Sequence, residues 1–165
     1  MLQLRERREL KRYGDWYFKE IANPRTHTHT RTRPMRRYFL VATGGGIGTL
    51  CRFGISEIGS LLHFSTLAAI LFINVTGCFL ISLLHFLSDP SGRIYFRPNQ
   101  RLFLLAGLCG GYTTFSSFSL ISFLAASRGS SIELWANILL SHFLCLVSVF
   151  LGAAAARAYP SWLGR

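Results

Sequence analysis

Four apolar segments set the limits on this chain. They are Tyr38–Leu62, Leu67–Leu87, Leu102–Ala126 and Leu134–Ala156, and each reaches the ~20 helical residues that cross a hydrocarbon core. That core offers no water to an open backbone, so only helices or a closed barrel can span it. Barrel strands alternate apolar and polar residues; these segments do not. The connection Ser88–Arg101 holds the turn signals Asp89-Pro90, Ser91-Gly92 and Pro98-Asn99, and the other two connections are short. The expected fold is an all-α integral membrane protein with four transmembrane helices. Composition agrees: 50% of the 165 residues are hydrophobic and 15% charged, against about 25% charged in a soluble domain. So few charges cannot cover a soluble surface, which argues against a soluble enzyme and excludes a disordered chain.

Residues 1–34 differ in kind. Nine of the 18 Lys and Arg lie there, with four of the seven acids. The stretch lacks the apolar core of a signal peptide, and its acids do not suit a mitochondrial transit peptide. It reads as a basic, disordered extension. His27 and His29 alternate with Thr in a tract better read as solvated tail than as a metal site. Met35-Arg36-Arg37-Tyr38 has the character of a start: an initiator, two positive anchors and an interfacial aromatic. Met35 is thus expected to be the native initiator, with residues 35–165 forming the four-helix domain.

The remaining charge speaks to orientation. With the N-terminus inside, Arg36, Arg37, Arg93, Arg97, Arg101, Arg157 and Arg165 fall on the inner side, and Arg128 on the outer. Such a bias predicts one dominant insertion. The formal charge of +11 does not point to nucleic acid, since no recognition helix, stacking platform or Cys/His finger accompanies it. Cys51, Cys78, Cys109 and Cys145 fall one per segment without metal or disulfide spacing, and read as small hydrophobes.

Polar and small residues inside the spans carry the functional information. Gly44 and Gly48 form a small-xxx-small pair that lets helices approach closely. Arg52 lies well inside the first segment, where a charge costs about 2.5–3.5 kcal/mol on insertion scales, and Glu57 is a candidate partner five residues on. Asn74 sits mid-span, suited to an interhelical hydrogen bond or to presenting an N–H to a permeating anion. In the third segment, Gly110-Gly111-Tyr112-Thr113-Thr114-Phe115-Ser116-Ser117-Phe118-Ser119 weakens a continuous helix. Broken backbone at that depth must be buried in protein or line a wet path, and its freed carbonyls suit a hard monovalent cation. Phe115 and Phe118 would share a face, with electropositive ring edges able to favour an anion. Asn137, Ser141, Cys145 and Ser148 recur at helical spacing as a polar stripe. His142 lies beside Ser141 but diverges from it on a helix, and no acid completes a triad. Enzymatic chemistry is not expected.

At these residues the chain resembles the CrcB/Fluc fluoride channels. The signals are Gly44-Gly45-Gly46-Ile47-Gly48 followed by Arg52-Phe53, then Asn74-Val75-Thr76-Gly77, then the long Gly/Thr/Ser string from Gly110 to Ser119. The resemblance spans Met35 to about Ala158 and leaves out residues 1–34. It implies an antiparallel dimer of four-helix subunits with the third helix broken mid-membrane, embedded in lipid and passing fluoride passively. It further implies a structural, non-transported Na⁺ held by the carbonyls of Gly110 and Thr113. The fluoride pore would comprise Asn74, Thr114, Phe115, Phe118 and Ser141. One departure stands out: many members carry Tyr where this chain has Asn137. The partner in that dimer is a second identical copy or an oppositely oriented paralogue, and the arginine bias favours the paralogue. The rival reading is a small multidrug-type exporter, which would want a carboxylate deep in a helix; another is a non-conducting membrane scaffold.

Overall fold

The computed structural model describes residues 34–88, 94 and 96–158. The reading of the N-terminal extension, and the turn signals at 89–92, therefore fall almost wholly outside the described residues. Four helical spans of 27, 22, 30 and 28 residues are long and apolar enough to cross a membrane. α1 is Pro34–Leu61 and α2 is Thr66–Leu87. The third span runs through α3 (Pro98–Arg101), a π-helical stretch Leu102–Cys109, α4 (Gly110–Tyr112) and α5 (Phe115–Ser127). α6 is Ser131–Ala158. Each span begins ahead of the apolar segment that marks it, and all but the first, which stops at Leu61, reach or pass that segment's end.

Local chemistry sets the ends. Ser65 caps α2 by accepting the Ala68 N–H at 3.2 Å. α1 and α5 both end in a left-handed residue followed by a crossed pair of backbone bonds. After α1 this residue is His63 (φ 59°), with Phe64 N–H donating to Gly59 O at 2.9 Å and His63 N–H to Ser60 O at 3.0 Å. After α5 it is Gly129 (φ 73°), where glycine carries no steric penalty. Tight turns at both places make α1 and α2, and α5 and α6, antiparallel neighbours.

Small residues decide which faces meet. A Cβ on Gly44 would lie 2.7 Å from Phe103 O and 3.0 Å from Gly107 Cα. One on Gly48 would collide with Leu108 O and sit 2.8 Å from Tyr112 N, and one on Gly111 would meet the Gly45 backbone. α1 therefore packs backbone to backbone against the first half of the third span, and Thr49 Oγ1 donates across that seam to Gly111 O at 3.3 Å. α2 and α6 form the other tight contact. Gly152 lies where a Cβ would be 2.5 Å from Phe79 O, and Ser82 Oγ donates to Val149 O at 2.7 Å. Ile73, fully buried, sits between these seams. The outer faces remain apolar: Phe39, Leu50, Phe123, Leu139 and Phe150 are all exposed, which suits lipid rather than water.

Candidate functional site at the helix break

The third span is interrupted at two residues only. Thr113 (ψ 157°) and Thr114 (φ −147°, ψ 112°) are extended, while Gly110 and Gly111 stay helical. The break is narrower than the polar string suggested, because the glycines serve the close approach to α1 and the serines after Thr114 resume the helix. What holds the gap open is Asn74. Its Oδ1 accepts the Thr114 N–H at 2.9 Å and its Nδ2 donates to Thr114 O at 3.1 Å. A side-chain amide from α2 thus satisfies both backbone groups of a residue only 5% exposed, where unmatched groups would be costly.

The freed helix is then recapped from within. Thr114 Oγ1 accepts the Ser117 N–H at 3.2 Å as N-cap of α5, and also bonds the Ser116 and Ser117 hydroxyls at 3.2 and 3.0 Å. In an unbroken helix the Thr114 N–H would reach Gly110 O, and the Ser117 N–H would reach Thr113 O. Both donors are diverted, so these two carbonyls lose their helical partners. Tyr112, buried next to the gap, is tied to α2. Thr76 gives its single hydroxyl proton to Phe72 O (2.7 Å), so the 2.8 Å contact requires Tyr112 to donate to Thr76 Oγ1.

Past the break lie the two aromatic rings. Phe115 and Phe118 are 5.6 Å apart at 38°, with Phe118 buried and Phe115 75% exposed. Phe118 also meets His142 edge-on, at 5.6 Å and 71°. His142 Nδ1 lies 2.7 Å from Ile138 O; a carbonyl only accepts, so Nδ1 carries the proton. Behind the rings, a hydrogen-bonded chain joins α5 to α6. Ser122 Oγ donates to Phe118 O (2.9 Å), Asn137 Nδ2 donates to Ser122 Oγ (2.9 Å), and Ser141 Oγ donates to Asn137 Oδ1 (3.2 Å). All three side chains are buried.

A cavity of about 400 Å³ reaches the break from the α1–α2 turn. Ser60, Phe64 and Thr66 line it towards the turn, Arg52, Thr49 and Ser56 further in, and Thr114 and Ser117 at the break. Phe53, Ala69, Ile70 and Ile73 complete a wall that is more apolar than polar, and the single guanidinium gives this mixed recess a positive bias.

Comparison with known proteins now bears on this geometry. Residues 39–153, which include the seam, the break, both rings and the polar stripe, match the family described as CrcB-like protein, Camphor Resistance (CrcB). The chain belongs to the CrcB-like family. A fluoride-specific ion channel FluC of Rhodospirillum rubrum is 38% identical over 124 residues, covering 72% of this chain and 93% of that protein. The FluC of Methylobacterium radiotolerans is 40% identical over 117 residues, covering 71% and 82%. A fluoride-specific ion channel FluC 1 of Bradyrhizobium diazoefficiens is 38% identical over 132 residues, covering 78% and 90%.

In this CrcB-like chain, residues selected from the sequence come together around one point. Asn74, Gly110, Thr113, Thr114, Phe115 and Phe118 cluster at the break, and Ser141 joins them through Asn137 and Ser122. Gly44 and Gly48 stand on the α1 seam. Arg52 faces the cavity and, among the described residues, no ion pair joins it to Glu57. Five residues advance about 140° around a helix, so the two side chains point apart. Ser141 and His142 diverge, one buried and one exposed. Sequence reasoning missed Ser122, the π-helical stretch, and the contact of His142 with Phe118. The signal for Ser122 was present in its position four residues after Phe118, on the same helical face.

Proposed function

We propose that this multi-pass membrane protein is a passive, fluoride-selective channel that lowers fluoride inside the cell. In a bacterium it would sit in the inner membrane. Its curated relatives are named for that activity over most of their length, and the site supplies the chemistry. Fluoride is small and strongly hydrated, so a path must replace its water with close donors yet bind loosely enough to release it. Uncharged donors meet both demands. The observation that carries the reading is the Asn74 amide: one N–H is spent on Thr114 O, which fixes the group, and the second remains to give. The edges of Phe115 and Phe118 add weak positive potential. Arg52 sits in the recess leading to the break, where it draws anions without standing beside them at the narrowest point.

The break also fits a structural Na⁺. Gly110 O and Thr113 O are among the carbonyls that the break deprives of helical donors, and hard oxygen ligands suit that ion. When bound, Na⁺ would supply a fixed positive charge near the path. Two oxygens do not fill its shell, and a second copy or a paralogue would contribute the same pair across an antiparallel dimer. The exposure of Phe115 agrees, since a ring lining a path needs an opposing wall. A proton-coupled exporter is the weaker reading: among the described residues the acids in the spans are Glu57 and Glu133, each close to a helix end. Nothing in this reading asks for catalysis.

The test is efflux from liposomes holding the purified chain, followed with a fluoride electrode in Na⁺ buffer. Rapid loss of fluoride with chloride retained is the expected result. Retention of both ions, with the chain alone and with an oppositely oriented relative, would overturn it.

A further inference from the structure

The hydrogen-bonded chain behind the rings has a direction, and that direction has consequences for the anion path. Ser122 owns one hydroxyl proton and gives it to Phe118 O, a group that can only accept. Its oxygen must therefore receive the proton of the next contact, which obliges Asn137 to present Nδ2 to Ser122 and Oδ1 to Ser141. Ser141 in turn gives its only proton to that Oδ1. Asn137 is 3% exposed, Ser141 7% and Ser122 9%, so water does not scramble the order. The orientation of all three groups follows from one main-chain carbonyl.

We propose that Ser122 and Asn137 are positioning residues which hold the Ser141 hydroxyl turned away from the anion path, and so set the conduction rate of this chain. The proposal rests on the fluoride reading above. In this arrangement Ser141 shows lone pairs, not a proton, to anything outside the chain of bonds. An anion gains a donor there only after the 3.2 Å bond to Asn137 Oδ1 is broken. That leaves the buried amide oxygen unmatched, a cost added to each passage. The net strength of one such neutral bond corresponds to a rate factor of about twofold to tenfold. Ser122 never needs to touch the ion: it acts through the amide, because without an acceptor at Ser122 the Asn137 side chain is free to turn over. It would then offer Nδ2 to Ser141 Oγ and release the hydroxyl proton.

A set of variants in the full chain, reconstituted in liposomes and read by initial fluoride efflux, tests this. Asn137→Leu removes the acceptor that holds Ser141 while keeping the side chain's branching and number of heavy atoms, and Ser122→Ala removes the group that orients the amide. Each is expected to speed efflux about twofold to tenfold. In either variant, Ser141→Ala should cancel the gain, bringing efflux to the rate of Ser141→Ala alone. A merely structural role predicts the opposite pattern, slower efflux that is indifferent to Ser141. Variants that are no faster, or a gain that survives Ser141→Ala, would overturn the proposal while leaving the channel reading intact. Ser122→Ala alone decides the matter if Asn137→Leu does not fold. A parent chain that passes no fluoride, alone and with an oppositely oriented relative, removes the functional reading itself, and the proposal with it.

Discussion

Replacing Asn74 by Leu is the most informative single perturbation, because two separable effects depend on that amide. The first is structural. Two interhelical bonds, at 2.9 and 3.1 Å to the N–H and C=O of Thr114, are lost while the side chain keeps its branching and its number of heavy atoms. Interhelical hydrogen bonds in membranes average about 0.6 kcal/mol and reach about 1.7, so the pair contributes about 1–3 kcal/mol. The upper part of that range applies if Thr114, only 5% exposed, keeps its extended backbone with both groups unmatched. The lower part applies if the Thr114 N–H returns to Gly110 O and the helix heals. The second effect is on the path: a donor to an anion is worth about 1.5–3 kcal/mol, a factor of about 10 to 100 in rate. Fluoride efflux from liposomes, with thermal unfolding in detergent measured on the same preparation, separates the two. The expected outcome is a slowing of tenfold or more with a modest loss of stability. Asn74→Leu conducting within twofold of the parent would refute the reasoning, since neither the break nor the donor would then matter.

Other consequences can be checked with the same preparations. Gly48→Ala pushes a methyl into Leu108 O, with Tyr112 N at 2.8 Å; overpacking of this kind costs about 1–3 kcal/mol, seen as a lower unfolding temperature. Gly46→Ala, with nothing within 4 Å of the new methyl, should instead stabilise the helix slightly through better propensity, and it serves as the control. Arg52→Gln should slow efflux several-fold at low ionic strength, and the deficit should shrink as salt screens the recess. Replacing Na⁺ by a large organic cation should weaken conduction or subunit association; unchanged behaviour in rigorously Na⁺-free buffer would remove the ion from the Gly110 and Thr113 carbonyls.

Much of the fold is legible in the sequence because the bilayer leaves few choices. Runs such as Thr66–Leu87 must be helical, and the only questions are where they end and which faces meet. Ends were misplaced by a few residues, since Pro34 and Ser131 begin helices ahead of the apolar segments they lead into, and hydropathy is blind to backbone bonding outside the hydrocarbon. Close approach was readable at Gly44 and Gly48, where a missing side chain has a specific use. The π-helical stretch Leu102–Cys109 was not, because nothing in Leu-Phe-Leu-Leu-Ala-Gly-Leu-Cys distinguishes a wider helix from an ordinary one.

The site shows the same division more sharply. Residue types foretold a break, but glycine and serine content located it too broadly, over ten residues rather than two. Its position at Thr113 and Thr114 is set by a partner forty residues earlier, Asn74, and not by local propensity. The polar stripe on α6 was legible as a stripe, since Asn137, Ser141 and Ser148 keep helical spacing and are all buried. Its polarity was not legible, because the direction in which Ser141 gives its proton is decided on α5 by Ser122 and the Phe118 carbonyl. Composition and spacing name the groups that can donate; only the packed partners decide which proton is already spoken for. In a path that must offer fluoride protons without offering it a full charge, that second decision is the one that sets the rate.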